Sequence, residues 1–296
     1  MSNNMSKMKA AIIGTGNIGC DLMIKILRSP FLDCTLMAGR DMNSRGSRFS
    51  LENKVNVSDL SVRAIQENPD ICQIVFDATS AAVHLENLPT LSKLGKFVID
   101  LTPAKVGMFC VPVINLDEAL SATNVNMVTC GGQTSIPIAF AITQAHPETR
   151  YIEIVSTIAS CSAGIGTRDN IDEFIRTTNK ALSYFTGVKK TKAIIILNPA
   201  EPPINMRTTV HALIDFPDLD RIRNFVFEIS EKVKKYVPGY KIIVEPNYDG
   251  SRVSTTIEVT GLGDYLPTYA GNLDITTCAA IRVAEAYAQK GKGMFI

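Results

Sequence analysis

The chain has 296 residues, of which 46% are hydrophobic and 20% are charged, and thirty basic residues nearly balance twenty-nine acidic ones. Length and composition predict one large or two medium globular domains and argue against disorder. The balanced charge, together with an aromatic content of 7%, argues against nucleic-acid binding.

No apolar run reaches the roughly 18 residues of a membrane-spanning helix, and the polar start of the chain lacks the apolar segment of a signal peptide. The seven cysteines are scattered and never spaced C-x-x-C, and there are three histidines. A disulfide framework and a metal site are therefore not expected. We expect a cytoplasmic protein that binds neither membranes nor nucleic acid.

The first 130 residues alternate between short apolar runs and helical periodicity. Strands are predicted at 10–13, 34–38, 71–76, 97–101 and 125–128, and helices from residue 18, at 58–67 and at 82–94. Pro89 is expected to disturb the last of these helices. This alternation predicts a Rossmann-type, doubly wound parallel sheet.

After residue 130 the pattern changes to that of an α+β domain. Strands are predicted at 152–158, 193–197 and 252–260, helices at 171–185, 219–237 and 273–289, and a hairpin turn at 247–250. We therefore predict a dinucleotide-binding domain at 1–130, completed by the C-terminal helix in 271–296, and a second domain at 131–270.

A glycine motif follows the first predicted strand. Residues 14–19 read G-T-G-N-I-G and precede a helix, which is the context of dinucleotide binding at a helix N-terminus. Asp41 stands near the place of the acid that binds the ribose of NAD, whereas Arg40 and Arg45 could face the 2′-phosphate of NADP. NAD is favoured, and NADP stays open.

A cysteine turn follows the last predicted strand of the first domain. Cys130 is followed by Gly131 and Gly132, with a helix predicted to start near Ile136. A thiol near a helix N-terminus is expected to have a lowered pKa, and the following N–H groups could hold an oxyanion. Cys130 is therefore a candidate nucleophile, the alternative being a small buried apolar side chain.

Seven segments, in the same order along nearly the whole chain, resemble those of acylating acetaldehyde dehydrogenases. The segments are residues 14–23 (GTGNIGCDLM), 76–80 (FDATS), 100–104 (DLTPA), 126–133 (NMVTCGGQ), 162–174 (SAGIGTRDNIDEF), 198–203 (NPAEPP) and 269–274 (YAGNLD). The resemblance implies reversible, NAD-dependent oxidation of a short aldehyde to acyl-CoA, with CoA as co-substrate. It also implies a homo-oligomer whose second domain is catalytic, and a 4-hydroxy-2-oxovalerate aldolase as partner.

The resemblance assigns roles to individual residues. Cys130 would carry the acyl group as a thioester, and Asn272 would lie near the nicotinamide, although it could equally cap the last helix. The pyrophosphate would bind at Thr15, Gly16, Asn17 and Ile18. The cofactor-side loop would comprise Ser162, Ala163, Gly164, Ile165, Gly166, Thr167, Arg168, Asp169 and Asn170.

The chain also departs from the family pattern. Thr208 stands where the family has its proposed acid/base Asp, and a Thr hydroxyl cannot act as a carboxylate base. If this segment is helical, His211 shares its face and could supply the base; the alternative is a histidine with no catalytic role. Residues 239–260 form a shorter and more polar segment than the family pattern has. Because this part of the second domain could contact a partner, the difference weakens the expectation of an aldolase contact.

Two other functions remain open at this stage. One is a related cysteine-dependent aldehyde or semialdehyde dehydrogenase that passes the acyl group to phosphate or water. The other is a catalytically weak NAD-binding subunit, which the Thr at position 208 suggests.

Overall fold

The computed structural model describes residues 7–164, 168 and 170–291. These residues form two compact units, one comprising 7–127 with 277–291 and the other comprising 128–276. The sequence-based division at 130 and 271 remains a proposal for where the functional domains begin and end. None of the described helices has the length and apolar character needed to cross a membrane.

The first unit is built on a parallel sheet of seven strands. The strands are β1 (Met8–Ile13), β2 (Leu32–Ala38), β3 (Val57–Ser58), β4 (Ile74–Asp77), β5 (Phe97–Asp100), β6 (Met108–Phe109) and β7 (Asn124–Asn126). They lie in the order β3-β2-β1-β4-β5-β7-β6, and every pair is parallel. The predicted doubly wound fold is confirmed, because buried runs such as Ala10–Ile13 are apolar on both faces.

Helices connect these strands: α1 (Asn17–Arg28), α2 (Arg45–Glu52), α3 (Val62–Glu67), α4 (Ala81–Lys93) and α5 (Pro112–Ala119). The helix predicted at 58–67 is wrong in its first residues, because Ser58 pairs with β2 and Ser61 has a positive φ of 51° before α3 begins. Contrary to expectation, α4 continues through Pro89. The sequence pattern missed the short helices α2 and α5.

The second unit contains a mixed sheet of five strands beside helices α6 (Cys130–Ala145), α7 (Ile171–Thr186) and α8 (Leu219–Lys234). The strands are β8 (Tyr151–Ala159), β9 (Thr191–Asn198), β10 (Met206–Leu213), β11 (Tyr240–Tyr248) and β12 (Val253–Val259). They lie in the order β11-β12-β10-β8-β9, in which only β8 and β9 are parallel. The predicted hairpin joins β11 to β12.

The chain ends in helix α9 (Gly271–Lys290), whose residues from 277 onward belong to the parallel-sheet unit. There the Tyr287 ring stacks on the Phe97 ring with centroids 3.8 Å apart, and Ser29 Oγ donates to Glu285 Oε1 at 2.6 Å. These contacts explain why the last helix completes the Rossmann-type unit, as predicted.

Candidate functional site

The glycine motif forms a tight turn between β1 and α1. Gly14 has a φ of 116°, and a Cβ there would lie 2.6 Å from the carbonyl oxygen of Ala78. A Cβ on Gly19 would lie 2.0 Å from the carbonyl oxygen of Gly14. Both positions therefore require glycine, because any side chain would push α1 or the loop after β4 away from the turn.

The start of α1 fits a pyrophosphate. Gly16 is the N-cap residue. Among the described residues no side chain caps the helix, and no atom lies within 4 Å of where the Gly16 Cβ would be. Asn17 is exposed, and Thr15 and Ile18 are half-buried beside it. Free N–H groups facing open space at a helix N-terminus are suited to bind an anion.

The end of β2 carries the residues that bear on the choice between NAD and NADP. Arg40 and Asp41 are both exposed, and Arg45 is the first residue of α2. The carboxylate of Asp41 accepts a hydrogen bond of 2.8 Å from the N–H of Asn43 within its own turn. It keeps a second oxygen for a ribose, so this arrangement accommodates either cofactor.

Cys130 is the first residue of α6, at the end of a strained turn. Val128 has a positive φ of 61°, and the side chain of Thr129 caps the helix by accepting from Gly132 N at 3.0 Å. The helix start predicted near Ile136 is therefore wrong by six residues. The turn ends β7 at Asn126, two residues before the predicted end of that strand.

The surroundings of the Cys130 thiol contradict the expected lowering of its pKa. The residue is half-buried, and burial raises the pKa of its thiol to about 12 against opposing backbone hydrogen bonds from Gly131 and Cys130 itself. Burial thus outweighs the position at a helix N-terminus. The raised pKa favours the protonated thiol near neutral pH.

The expected oxyanion role of the backbone also needs correction. The N–H of Gly132 donates to Thr129 Oγ1, and that of Gln133 donates to the carbonyl oxygen of Thr129 at 2.8 Å. The N–H groups of Gly131 and Cys130 act to lower the pKa of the thiol. The N–H groups of the capped first turn of α6 are therefore used within the turn or act on the sulfur, and few of them remain to bind a carbonyl oxygen.

Thr208 lies in the layer beneath this turn. Its Oγ1 is 3.0 Å from Ser156 Oγ, and both side chains are buried on paired strands β10 and β8. A Cβ on Gly131 would lie 3.2 Å from Ser156 Oγ. Ser156 therefore packs against the residue that follows Cys130 and links it to Thr208 by a hydrogen bond. The sequence pattern gave no signal for Ser156.

The hypothesis that His211 replaces the missing base is wrong in its premise. Residues 206–213 form strand β10, in which side chains alternate between faces, so positions three apart point in opposite directions. His211 Nδ1 lies 2.8 Å from Ser254 Oγ on the face away from Thr208. Burial and the charge of Arg252 lower the pKa of His211.

The predicted cofactor-side loop is described only in part: Ile165, Gly166, Thr167 and Asp169 lie outside the described residues. Ser162 and Ala163 are buried, whereas Gly164 is exposed, and no atom of the described residues lies within 4 Å of its Cβ position. Arg168 folds back on the loop, its Nε 3.0 Å from the Ala163 oxygen and its Nη2 2.7 Å from the Ser160 oxygen. Asn170 precedes α7.

Asn272 is the second residue of α9, so it does not cap that helix. Its side chain is buried, and its Oδ1 has no hydrogen-bond partner within the described part of the chain. A buried amide oxygen without a partner is costly, which suits a group that awaits a ligand. Asn272 and Cys130 belong to the second unit, and Thr15 to Ile18 belong to the first.

Two families match adjoining parts of the chain. "Semialdehyde dehydrogenase, NAD binding domain" matches residues 9–122, and "Prokaryotic acetaldehyde dehydrogenase, dimerisation" matches residues 130–267. A curated "Acetaldehyde dehydrogenase" of Pectobacterium atrosepticum is 56% identical and covers 96% of this chain and 97% of its own. One of Geobacillus stearothermophilus is 51% identical, covering 96% of this chain and 97% of the relative.

Solved structures show the same fold at low sequence identity. Aspartate semialdehyde dehydrogenase with NADP from Candida albicans has a TM-score of 0.68 at 11% identity, covering 98% of this chain and 100% of that one. Aspartate semialdehyde dehydrogenase II complexed with ASA from Vibrio cholerae has a TM-score of 0.64 at 14% identity, covering 95% of this chain and 98% of that chain. At these identities the likeness bears on the fold alone.

Proposed function

The chain belongs to the acetaldehyde dehydrogenase family, and from this premise we propose that it converts acetaldehyde or a similar short aldehyde to acyl-CoA through a thioester on Cys130. The observation that carries the proposal is the position of Cys130, half-buried at the first residue of α6, where the N–H of Gly131 acts to lower the pKa of its thiol. A thiol so placed can form and release an acyl group.

The proposed steps conserve atoms and electrons. Cys130 loses its proton to solvent, and its thiolate adds to the aldehyde carbon to give a tetrahedral alkoxide, the ionised form of a hemithioacetal. A hydride then leaves that carbon, so that the acyl group remains on the sulfur as a thioester. The thiolate of CoA attacks the thioester carbon, the bond to Cys130 breaks, and acyl-CoA is released. Bound NAD supplies the hydride acceptor.

The residues of the glycine turn fit the dinucleotide in this proposal. Thr15, Gly16, Asn17 and Ile18 would hold the pyrophosphate at the N-terminus of α1. Asn272 would use its unpartnered Oδ1 near the nicotinamide. The loop from Ser162 to Asn170 would face the cofactor through its exposed Gly164. NAD is the proposed cofactor, and NADP is the alternative.

The raised pKa of Cys130 and the threonine at position 208 favour a second candidate, a catalytically weak NAD-binding subunit. Such a subunit would bind the dinucleotide and turn over slowly, because neither Thr208 nor Ser156 can take the thiol proton near neutral pH. The two candidates differ in whether turnover depends on Cys130.

Formation of NADH with acetaldehyde or propanal, with and without CoA, separates these functions. We expect CoA-dependent turnover in the wild type, and a loss of roughly three orders of magnitude in Cys130→Ser, because serine ionises far less readily than cysteine. Cys161→Ser, which replaces an exposed thiol of the same unit, is the matched control and should keep its activity. NADH binding without Cys130-dependent turnover would support the weak subunit, and turnover without CoA would point to another acyl acceptor.

We further propose a homo-oligomer formed through the open face of the five-stranded sheet. One register row crosses all five strands with small or apolar side chains: Ile194, Val155, Thr209, Thr256 and Val244. Charged side chains flank the row, among them Lys192 and Glu153 on one side and Arg207 and Glu258 on the other. An apolar centre with a polar rim is typical of a protein interface.

An aldolase partner follows only from the family resemblance. If the aldehyde is delivered by a bound 4-hydroxy-2-oxovalerate aldolase, the two proteins should co-elute in gel filtration after co-expression. Separate elution would indicate that the enzyme takes its aldehyde from solution.

A further inference from the structure

A buried cluster of ionisable side chains lies at the carboxyl edge of the parallel sheet. Asp77 ends β4, Asp100 ends β5, and His84 lies in the first turn of α4; all three are fully buried. His84 Nδ1 is 3.0 Å from Asp77 Oδ2, and His84 Nε2 is 3.4 Å from Asp100 Oδ2. One imidazole thus bridges carboxylates from two neighbouring strands.

Each carboxylate also fixes the loop that follows its own strand. Asp77 Oδ1 accepts from the N–H of Thr79 at 3.2 Å and from the Thr79 hydroxyl. Asp100 Oδ1 accepts from the N–H of Thr102 at 2.7 Å. His84 therefore holds together two turns on the edge where doubly wound sheets bind their ligands.

The other described partners of the cluster are neutral amides. Asn87 and Asn126 donate to Asp77 Oδ2 and Asp100 Oδ2, at 3.2 and 2.7 Å. Asn124 Nδ2 lies 3.3 Å from His84 Nε2, and its Oδ1 has no partner within the described residues. The same Nδ2 also donates to the carbonyl oxygen of Val106 at 3.4 Å.

The charges of the cluster favour a protonated imidazole. Burial alone would lower the pKa of His84, but the hydrogen bond to Asp77 and the charges of Asp100 and Asp77 outweigh it, so that the pKa lies above its ordinary value. Burial raises the pKa of Asp100 to about 6, against the opposing effect of His84. Without the imidazolium, only hydrogen bonds from neutral donors among the described residues would offset the charges of the two buried carboxylates.

The loop after β4 connects this cluster to the glycine turn. The N–H of Ala78 donates to the carbonyl oxygen of Ile13 at 2.8 Å, and the carbonyl of Ala78 packs against Gly14. Asp77, immediately before Ala78, is the residue that His84 holds. A displacement of the loop therefore displaces one wall of the predicted pyrophosphate site.

We propose that His84 is a positioning residue for dinucleotide binding: by bridging Asp77 and Asp100 it holds the loop at residues 78–80 against the glycine turn. The inference rests on the proposed dinucleotide site and adds a group that never touches the cofactor. The bridge is strongest while His84 is charged, so the affinity for the dinucleotide falls as pH rises through the raised pKa of His84.

The test compares NADH binding and stability in variants of two buried hydrogen-bonding residues, which lie at opposite edges of the same sheet. His84→Gln removes the bridge, and we expect the Kd for NADH to rise about tenfold while kcat at saturating NAD changes by less than about twofold. Lys96→Met is the matched control, because the Lys96 ammonium bonds the carbonyl oxygens of Pro69 and Cys72 just before β5 begins. It should lower the melting temperature and leave the Kd for NADH unchanged.

The dependence on pH separates a charged bridge from simple packing. A raised pKa gives stability that is present at low pH and lost as pH rises. The difference in melting temperature between wild type and His84→Gln, measured without cofactor, should therefore be largest below the ordinary histidine pKa of about 6.5 and shrink as pH rises through the raised pKa of His84. A pH-independent difference would overturn the proposal.

The wild type alone provides a further test that does not require the variant to fold. Its Kd for NADH, followed by fluorescence, should rise as pH increases above neutrality, and a constant Kd would also overturn the proposal. If the wild type fails to bind NADH at all, the proposed function fails. If the wild type and His84→Gln bind NADH equally well, only the role of His84 fails.

Discussion

Cys130 shows how a single side chain can be placed by sequence and still be misjudged in its chemistry. Its position after a buried segment and before two glycines indicated a thiol close to a helix N-terminus, and the helix in fact begins at Cys130 itself, six residues before the predicted start. The pKa, however, depends on how the surrounding chain packs around the thiol, because burial raises that pKa. Such long-range packing cannot be read from local spacing.

The raised pKa of Cys130 predicts its reactivity. In the cofactor-free Cys161→Ser protein, alkylation of Cys130 by iodoacetamide should accelerate about tenfold per pH unit between pH 7 and 10, because only the thiolate reacts. Mass spectrometry of the Cys130 peptide gives the rate. A plateau below pH 8 would mean that the thiol is already ionised and that the packing described here does not control it.

At the scale of elements, the spacing of apolar residues predicted secondary structure correctly where a segment followed a single helical or strand periodicity. The glycine turn, β1 and α1 followed from the motif and from apolar periodicity. Strand β10 was assigned as a possible helix, although Met206, Thr208, Val210 and Ala212 alternate with more exposed residues. The polar threonine within its buried face hid that alternation, and the error produced the wrong hypothesis for His211.

Two alanine substitutions in the glycine turn are predicted to have different effects on stability and on NADH binding. Gly19→Ala should lower both the melting temperature and the affinity for NADH, because its Cβ would strike the Gly14 carbonyl at 2.0 Å. Gly16→Ala should keep the melting temperature, since its backbone is extended and nothing is near its Cβ. We expect its affinity for NADH to fall by about tenfold, because the added methyl group occupies the pyrophosphate space. Unchanged NADH binding in Gly16→Ala would contradict the site.

At the scale of the whole molecule, the alternation of elements was enough for the fold class but not for the second sheet. The order β11-β12-β10-β8-β9 depends on pairings between distant strands, such as β8 with β10. A single sequence carries no direct signal for these pairings. The row of apolar and threonine side chains on the open face became visible only once the register was known.

This row predicts how the chain assembles. Val155→Lys places a charge at its centre, and an isologous interface would bring the two added charges together. We expect sedimentation to show a shift from oligomer to monomer at micromolar concentration. Phe227→Lys, at a partly exposed position on α8 in the same unit, should leave the assembly intact. If Val155→Lys sediments like the wild type, the open face is not the interface.

The central claim is that Cys130 carries the acyl group, and the most direct measurement is mass spectrometry of protein mixed with acetaldehyde and NAD in the absence of CoA. We predict one acetyl group on the Cys130 peptide, removed when CoA is added and absent from Cys130→Ser. An unmodified Cys130 peptide in protein that has formed NADH, or an acetyl group on another cysteine, would contradict the account.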